Sequence, residues 1–130
     1  MENRTEAEKR LIPTLGARGE ALACRLLKEK GYKIIERNFK TPIGEIDIVA
    51  REGQTLVFVE VKTRESAAFG SAKWAVDQRK QQKLSRVALY YLSLKAWQDR
   101  PARFDVVAVD VEPRGERIEL FRNAFDLVGI

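Results

Sequence analysis

The stretch "GEIDIVAREGQTLVFVEVKTR", residues 44–64, decides the fold because it has the pattern of two β-strands joined by a tight turn. Both ends of the stretch are rich in valine, isoleucine and phenylalanine, which favour strands. The intervening "REGQ" predicts a two-residue hairpin loop on Glu52 and Gly53. With that loop, Arg51 pairs with Gln54 and the rest of the register follows.

The charged residues of this hairpin are predicted to converge. The register pairs Asp47 with Phe58 and Glu45 with Glu60. Paired residues share a face of the sheet, as do residues two apart, so Asp47, Glu60 and Lys62 are expected on one face. Asp47 and Glu60 become diagonal neighbours roughly 5–8 Å apart at Cβ, and two such carboxylates can hold one divalent cation. A one-residue slip would move Asp47 to the opposite face.

Helices and further strands are predicted on both sides of the hairpin. A helix that Gly31 ends and a strand over 32–39 precede it. A helix from Ala72 to Trp97, with Ser71 suited to its N-cap, and strands over 103–111 and 117–125 follow it. The order α-β-β-β-α-β-β makes this a mixed-sheet α/β protein in which the second helix is a right-handed crossover between parallel strands. We expect a flexible or helical lead-in over 1–13 and a single domain over 14–130.

The composition excludes several kinds of site. The chain of 130 residues has one cysteine and no histidine, so it has no internal disulfide, no zinc site of cysteines and no catalytic triad that needs an imidazole. A bound metal would have to be a hard ion held by carboxylates, such as Mg²⁺ or Mn²⁺. The sequence has no signal-peptide pattern and no stretch long enough to span a bilayer, which predicts a soluble cytoplasmic protein without a membrane partner.

Two more charged residues lie along the apolar stripes of the predicted helices. Glu20 precedes Ala23 and Leu27 by three and seven residues, and Lys80 lies one turn before Leu84. A carboxylate near a core face is costly unless it is paired or metal-bound. Each charge also has an ordinary explanation: the strand residues as a solvated face or salt bridge, and Glu20 as a first-turn acid favoured by the helix dipole. Their convergence on one face favours a functional site.

A family resemblance covers nearly everything after the first dozen residues. "GEIDIVA" followed by "EVK" resembles the Asp…Glu-x-Lys signature of the PD-(D/E)xK nuclease superfamily, and Glu20 fits its archaeal Holliday-junction resolvases. In this superfamily a proline often precedes the aspartate, whereas here Ile46 precedes Asp47. More closely, the chain resembles the YraN-like family of predicted small bacterial endonucleases. The matching motifs are GxxGExxA at 16–23, GY at 31–32, RN at 37–38, GEIDIVA at 44–50, FVEVKTR at 58–64, FG at 69–70, AVDQRK at 75–80, YL at 91–92, RFDVV at 103–107 and NAF at 123–125.

The resemblance implies a restriction-endonuclease-like fold and a metal-dependent endonuclease that hydrolyses phosphodiester bonds in DNA, with branched or single-stranded structures favoured. Asp47 and Glu60 would hold Mg²⁺ or Mn²⁺, with the Val61 carbonyl and Glu20 as further ligands. Lys62 would position or deprotonate the attacking water and neutralise charge in the transition state. A resolvase-like role would require a homodimer.

The distribution of charge points to a nucleic-acid partner. The net charge is +5, and residues 66–98 hold six cations against one acid. Arg79, Lys83 and Arg86 recur at helical spacing, which predicts a basic stripe, although a solvated helix face has the same pattern. The predicted phosphate contacts are Arg37, Asn38, Arg64, Lys73, Arg79, Lys80, Lys83 and Arg86. Asp105 is expected to form a structural salt bridge. The alternative function is a non-catalytic nucleic-acid-binding module on the same scaffold.

Overall fold

The computed structural model describes residues 14–65 and 76–127. The lead-in over 1–13, the cap at Ser71 and the phosphate contact of Lys73 lie outside the described residues. The elements are α1 (Leu15–Glu29), β1 (Lys33–Lys40), β2 (Glu45–Glu52), β3 (Thr55–Glu65), α2 (Gln78–Leu94), β4 (Ala102–Glu112) and β5 (Gly115–Phe125). The predicted element order and the mixed α/β class are confirmed.

The five strands form one sheet in the order β1-β2-β3-β4-β5. Neighbouring strands are antiparallel except for β3 and β4, which run parallel with Glu60 opposite Val106. A parallel pair needs a long crossover, and the segment that contains α2 provides it. The predicted parallel pairing of the third and fourth strands is therefore confirmed.

Of the described residues, α1 covers one face of the sheet and α2 covers the other, which explains why its central strands are almost continuously apolar. Val57 and Val59 pack with Ala23 and Leu27 of α1. Phe58 belongs to the second core cluster, together with α2 residues such as Val87 and Tyr91. Alternation along β3 then points Glu60 and Lys62 toward the α2 face.

Helix α2 begins later and ends earlier than the sequence pattern predicts. Val76 and Asp77 are described and are not helical, and α2 starts at Gln78 because the Asp77 side chain accepts a hydrogen bond of 2.8 Å from the Lys80 N–H. This aspartate is a strong N-cap. The helix ends at Leu94 rather than Trp97. The predicted end of α1 is confirmed, since Gly31 follows it with a φ of +91°.

The predicted hairpin register is wrong by two positions. Glu52 pairs with Thr55, and Gly53 and Gln54 form the loop. Gly53 has a φ of +59° and stands first in the loop, where a type II′ turn requires glycine. Because the shift is an even number of residues, it exchanges no side chain between faces, and Asp47 keeps its predicted side of the sheet.

Asp105 has the structural role that the sequence predicts. Its fully buried carboxylate accepts hydrogen bonds from the Arg103 Nε at 2.9 Å, the Tyr32 hydroxyl at 2.6 Å and the Asn123 N–H at 2.8 Å. Burial, followed by the hydrogen bond to Asp105, raises the pKa of Tyr32 to about 12. This network connects β4 to β5 and to the end of α1.

Helix α1 lies in close contact with β3 at Gly19. A Cβ added to Gly19 would overlap the Thr63 Oγ1 and would lie 2.8 Å from the Thr63 Cβ. The absence of a side chain at this position therefore sets the distance between α1 and the sheet, and with it the position of the adjacent Glu20.

We expect Gly19→Ala to destabilise the protein by about 1–3 kcal/mol, because overpacking against Thr63 outweighs the gain in helix propensity. Chemical denaturation would measure the change. The matched control is Gly16→Ala in the same helix, where nothing lies within 4 Å of the added Cβ. The control should be neutral or stabilising by up to about 1 kcal/mol, and equal effects at the two glycines would contradict this account of helix packing.

Candidate active site

The candidate site begins where β2 and β3 stop pairing. The ladder runs as far as Ile48 opposite Val59. Beyond it, the Val61 N–H donates to the Asp47 Oδ2 at 2.8 Å, so a side chain replaces the next backbone acceptor. Continuing the register by one residue places Asp47 opposite Glu60. The two carboxylates therefore face each other directly across the strands, whereas the predicted register made them diagonal neighbours.

A cavity of about 260 Å³ opens between this strand end and α2. The strand end contributes three carboxylates to its lining, those of Glu45, Asp47 and Glu60, while the helix contributes two lysines and two apolar side chains. Its lining residues are Gly44, Glu45, Asp47, Glu60, Lys80, Lys83, Leu84 and Val87. The structure therefore brings the two predicted carboxylates together on the α2 face of the sheet.

The environment of Asp47 disfavours its charged form. Burial, followed by the negative charge of Glu60, raises the pKa of Asp47 to about 7. The Val61 hydrogen bond acts in the opposite direction, while Glu20 and Glu45 raise the pKa further. A pKa shifted this far by burial and a like charge is typical of a functional site.

Lys80 supplies a positive charge beside Glu60. Its Nζ lies 2.9 Å from the Oε1 of Glu60, whose side chain is only 9% exposed. Burial opposes the charged ammonium, yet the hydrogen bond and charge of Glu60 raise the pKa of Lys80 above its usual value. A cation in the first turn of a helix is disfavoured by the helix dipole, so this ion pair stabilises an otherwise unfavourable position. Lys80, predicted to contact phosphate, is here the partner of Glu60.

Lys62 lies beside this pair without lining the cavity. Burial, followed by the positive charge of Lys80, lowers the pKa of Lys62, although Glu60 and Asp77 act to raise it. A lysine whose charged form is disfavoured releases a proton more readily than an exposed one. The predicted neighbourhood of Glu60 and Lys62 on one face is present.

Glu20 is only partly brought to the site. It belongs to α1, which packs on the other face of the sheet, and it does not line the cavity. Its charge nevertheless contributes to the raised pKa of Asp47. Its Oε1 is buried and has no hydrogen-bond partner within the described part of the chain.

A magnesium ion fits the chemistry of the Asp47–Glu60 pair. Mg²⁺ is commonly held by one or two carboxylates and completes its coordination with waters and substrate phosphates. Among residues 14–65 and 76–127, no three or more carboxylate, cysteine or histidine side chains are grouped so that they could hold a metal. Glu20 as a further ligand, directly or through a water, stays a prediction. The Val61 carbonyl as a ligand stays a prediction.

A second, basic cavity of about 280 Å³ adjoins the first. It is lined by Ile43, Arg79, Gln82, Lys83 and Arg86, and Lys83 lines both cavities. The predicted stripe of three cations thus lies on α2 next to the carboxylates. The sequence pattern did not predict that Ile43 joins it, because the packing of the β1–β2 turn on α2 is a tertiary contact.

The other predicted phosphate contacts lie elsewhere. Arg64 forms an ion pair of 2.9 Å with the buried Asp110, which gives this guanidinium a structural partner. Arg37 pairs with Ile48 in the sheet. Burial raises the pKa of Cys24 on the buried face of α1, and the positive charge of Arg37 acts to lower it. Asn38 is exposed on the edge strand β1 and has a φ of +53°. The structure does not bring these residues to the basic cavity.

We expect Asp47→Asn to stabilise the protein at pH 8 in the presence of a chelator. The folded-state pKa of about 7 lies above the usual value of 3.8, so wild type loses stability as the pH rises through that interval. The amide still accepts the Val61 hydrogen bond but carries no charge. The gain should be on the order of 1–3 kcal/mol at pH 8 and small at pH 4.

Urea denaturation at the two pH values would measure this difference. The matched control is Asp105→Asn, which removes the charge facing Arg103 and should destabilise the protein at both pH values. If Asp47→Asn were no more stable than wild type at pH 8, the carboxylate would not be held under the repulsion described above.

Comparisons with known proteins identify the family. The solved structure of Pyrococcus furiosus SfsA in complex with Ca²⁺ matches with a TM-score of 0.38 and 16% identity, covering 81% of this chain and 60% of that chain. A likeness this distant says nothing about what the chain does. The UPF0102 protein of Syntrophus aciditrophicus is 49% identical over 112 residues, covering 86% of this chain and 88% of its own. That of Geobacter sulfurreducens is 51% identical over 114 residues, covering 87% and 89%. The family profile matches residues 19–109, which confirms the YraN-like resemblance: the chain belongs to the Uncharacterised protein family UPF0102.

Proposed function

We propose that this protein is a metal-dependent endonuclease that hydrolyses phosphodiester bonds in DNA, on a restriction-endonuclease-like fold. The observation that carries the proposal is the Asp47–Glu60 pair in one cavity, where burial and the charge of Glu60 raise the pKa of Asp47 to about 7. Two acids held under repulsion beside a basic groove destabilise the fold and suit a divalent cation. A domain that only bound phosphates would gain nothing from them.

The roles of the residues follow from their positions. Asp47 and Glu60 would hold Mg²⁺ or Mn²⁺, which when bound activates water and shields phosphate charge. Lys62, beside Glu60, would position or deprotonate the attacking water and neutralise charge in the transition state. Lys80, now paired with Glu60, would move to stabilise the negative charge that develops on the phosphate in the transition state. Glu20 acts on Asp47 through its charge from the α1 side.

The basic cavity would hold the DNA backbone. Arg79, Lys83 and Arg86 are exposed, and Lys83 extends the positive surface to the carboxylates. A phosphate on Lys83 would place its neighbour along the strand near Asp47. Because phosphate contacts carry no sequence information, this surface favours binding without strong sequence preference.

A non-catalytic nucleic-acid-binding module is the second candidate. Two observations favour it: Lys80 already neutralises Glu60, and the described residues contain no group of three or more metal-binding side chains.

Neither described helix is long and apolar enough to cross a membrane. A homodimer, required by a resolvase-like role, and a cytoplasmic location both stay predictions.

We expect wild type to cleave DNA with Mg²⁺ or Mn²⁺, with branched or single-stranded DNA preferred over uniform duplex. Asp47→Asn and Glu60→Gln should each lower the rate by at least about 100-fold, because each removes a charge that holds the metal. Lys62→Ala should lower the rate to a similar extent and leave Mn²⁺ binding equal or tighter, because a nearby positive charge is lost. Gel assays of cleavage and titration calorimetry with Mn²⁺ would measure these effects.

The matched controls for cleavage are Glu119→Gln and Lys33→Ala, exposed charges on β5 and β1 away from the cavity. They should retain wild-type rates. Equal cleavage by every variant would indicate a contaminating nuclease. Metal-independent binding of DNA with no cleavage would support the second candidate.

We expect affinity for DNA to fall steeply with salt, because the predicted contacts are to phosphates. Arg79→Gln with Lys83→Gln should weaken binding to all sequences alike and reduce the slope of log K against log[salt] by about 2. The matched control, Arg25→Gln with Lys28→Gln, neutralises two exposed cations on α1 and should have little effect. Fluorescence anisotropy would report both, and equal losses would place the binding surface elsewhere.

A further inference from the structure

The turn between β1 and β2 holds an apolar side chain in a fixed position. The Thr41 N–H donates to the Gly44 carbonyl at 2.8 Å, and the Gly44 N–H donates to the Thr41 carbonyl at 3.2 Å. The Thr41 Oγ1 donates to the Gly44 carbonyl at 2.8 Å and accepts from the N–H groups of Ile43 and Gly44, both at 3.1 Å. Pro42 restricts the backbone further. Ile43 at its tip is 42% exposed.

The surroundings of Ile43 are unusual for an isoleucine. A lone exposed isoleucine is ordinary, but this one lines the basic cavity with Arg79, Lys83 and Arg86. The charged groups of this cavity bind water, so the cavity offers the Ile43 side chain no apolar surface to pack against. A ligand that offers both phosphates and an apolar surface would match the cavity.

The turn is also connected directly to the candidate active site. Gly44 lines the carboxylate cavity, and a Cβ added there would lie 3.2 Å from the Lys83 Cε and 3.5 Å from the Val87 Cγ2. The turn therefore packs closely against the Lys83 and Val87 side chains of α2. A group that contacts Ile43 lies on the same continuous surface as Asp47 and Glu60, with Lys83 between them.

Nucleic acids offer apolar surface at the faces of their bases. In a continuous duplex the neighbouring base pairs cover these faces, and an apolar side chain reaches them only by separating a base step. Unpaired bases expose the same faces freely. We propose that Ile43 contacts the face of an unpaired base and thereby selects single-stranded or branched nucleic acid over uniform duplex. This inference rests on the proposed function and names the residue that sets its preference for unpaired substrate.

The test compares Ile43→Ser with Ile35→Ser, both in an Asp47→Asn background that prevents cleavage. Ile35 is 40% exposed on β1 and does not line the basic cavity, so it is a matched control. The probes are a single strand, a fork and an uninterrupted duplex of equal length, each with 2-aminopurine. Anisotropy gives the Kd, and 2-aminopurine fluorescence reports contact with the base.

We expect Ile43→Ser to weaken binding to the single strand and the fork about tenfold, because apolar contact area is lost. Binding to the duplex should change less than about twofold, and the change in 2-aminopurine fluorescence should disappear. Ile43→Leu should retain the preference, and Ile35→Ser should behave as its parent. Thermal unfolding should be unaltered, because the turn is held by Thr41 and backbone groups.

Two failures are distinguishable. If the parent binds none of the three probes at low salt, the proposed function fails and the inference fails with it. If the parent binds them but Ile43→Ser weakens single strand, fork and duplex equally, or none of them, the assignment of Ile43 is overturned while the proposed function stands. A preference for uniform duplex in the parent would also overturn it.

Discussion

The pairing of β2 with β3 ends at Ile48 and Val59, and the candidate site depends on how the chain satisfies the next backbone donor. If the β2–β3 ladder continued, a backbone carbonyl would accept from the Val61 N–H and no carboxylate would be needed. Instead Asp47 turns its side chain onto the Val61 N–H and faces Glu60 across the gap. The hydrogen bond orients the carboxylate, and the sheet core on both sides holds it in place. Both helices then contribute charges to a position that the strands have already defined.

The charges at the Asp47–Glu60 pair lower the stability of the folded protein. Asp47 and Glu60 repel each other in a cavity that limits solvation, and Lys80 forms its ion pair with Glu60 rather than with Asp47. The Tyr32–Arg103–Asp105 network at another part of the sheet is the opposite case, because each buried polar group there has its partners. Carboxylates whose pKa is raised by burial and a like charge cluster at functional sites.

The sequence predicted the strands and the shared face of Asp47 and Glu60 because period-two alternation survives an even shift of register. It did not predict the loop on Gly53 and Gln54, since Glu52–Gly53 is also compatible with a tight turn and only the backbone of Gly53 decides between them. The start of α2 was missed because the apolar pattern extends past its true cap at Asp77. The ion pair of Lys80 and the position of Ile43 depend on how α2 lies on the sheet. Such contacts between distant elements leave no local pattern in the chain.

The crossover between β3 and β4 also has a consequence for the order of folding. Asp47 and Val61 are 14 residues apart, so the acidic part of the site belongs to a hairpin with short loop closure. The cations of α2 join the acidic part of the site only when the crossover closes. That step also forms long-range contacts such as the Arg64–Asp110 ion pair, whose residues are 46 positions apart. The hairpin alone therefore carries the facing acids Asp47 and Glu60 without the α2 cation that pairs with Glu60. The pairing of acids and cations in the site therefore depends on long-range contacts, which form more slowly than a hairpin.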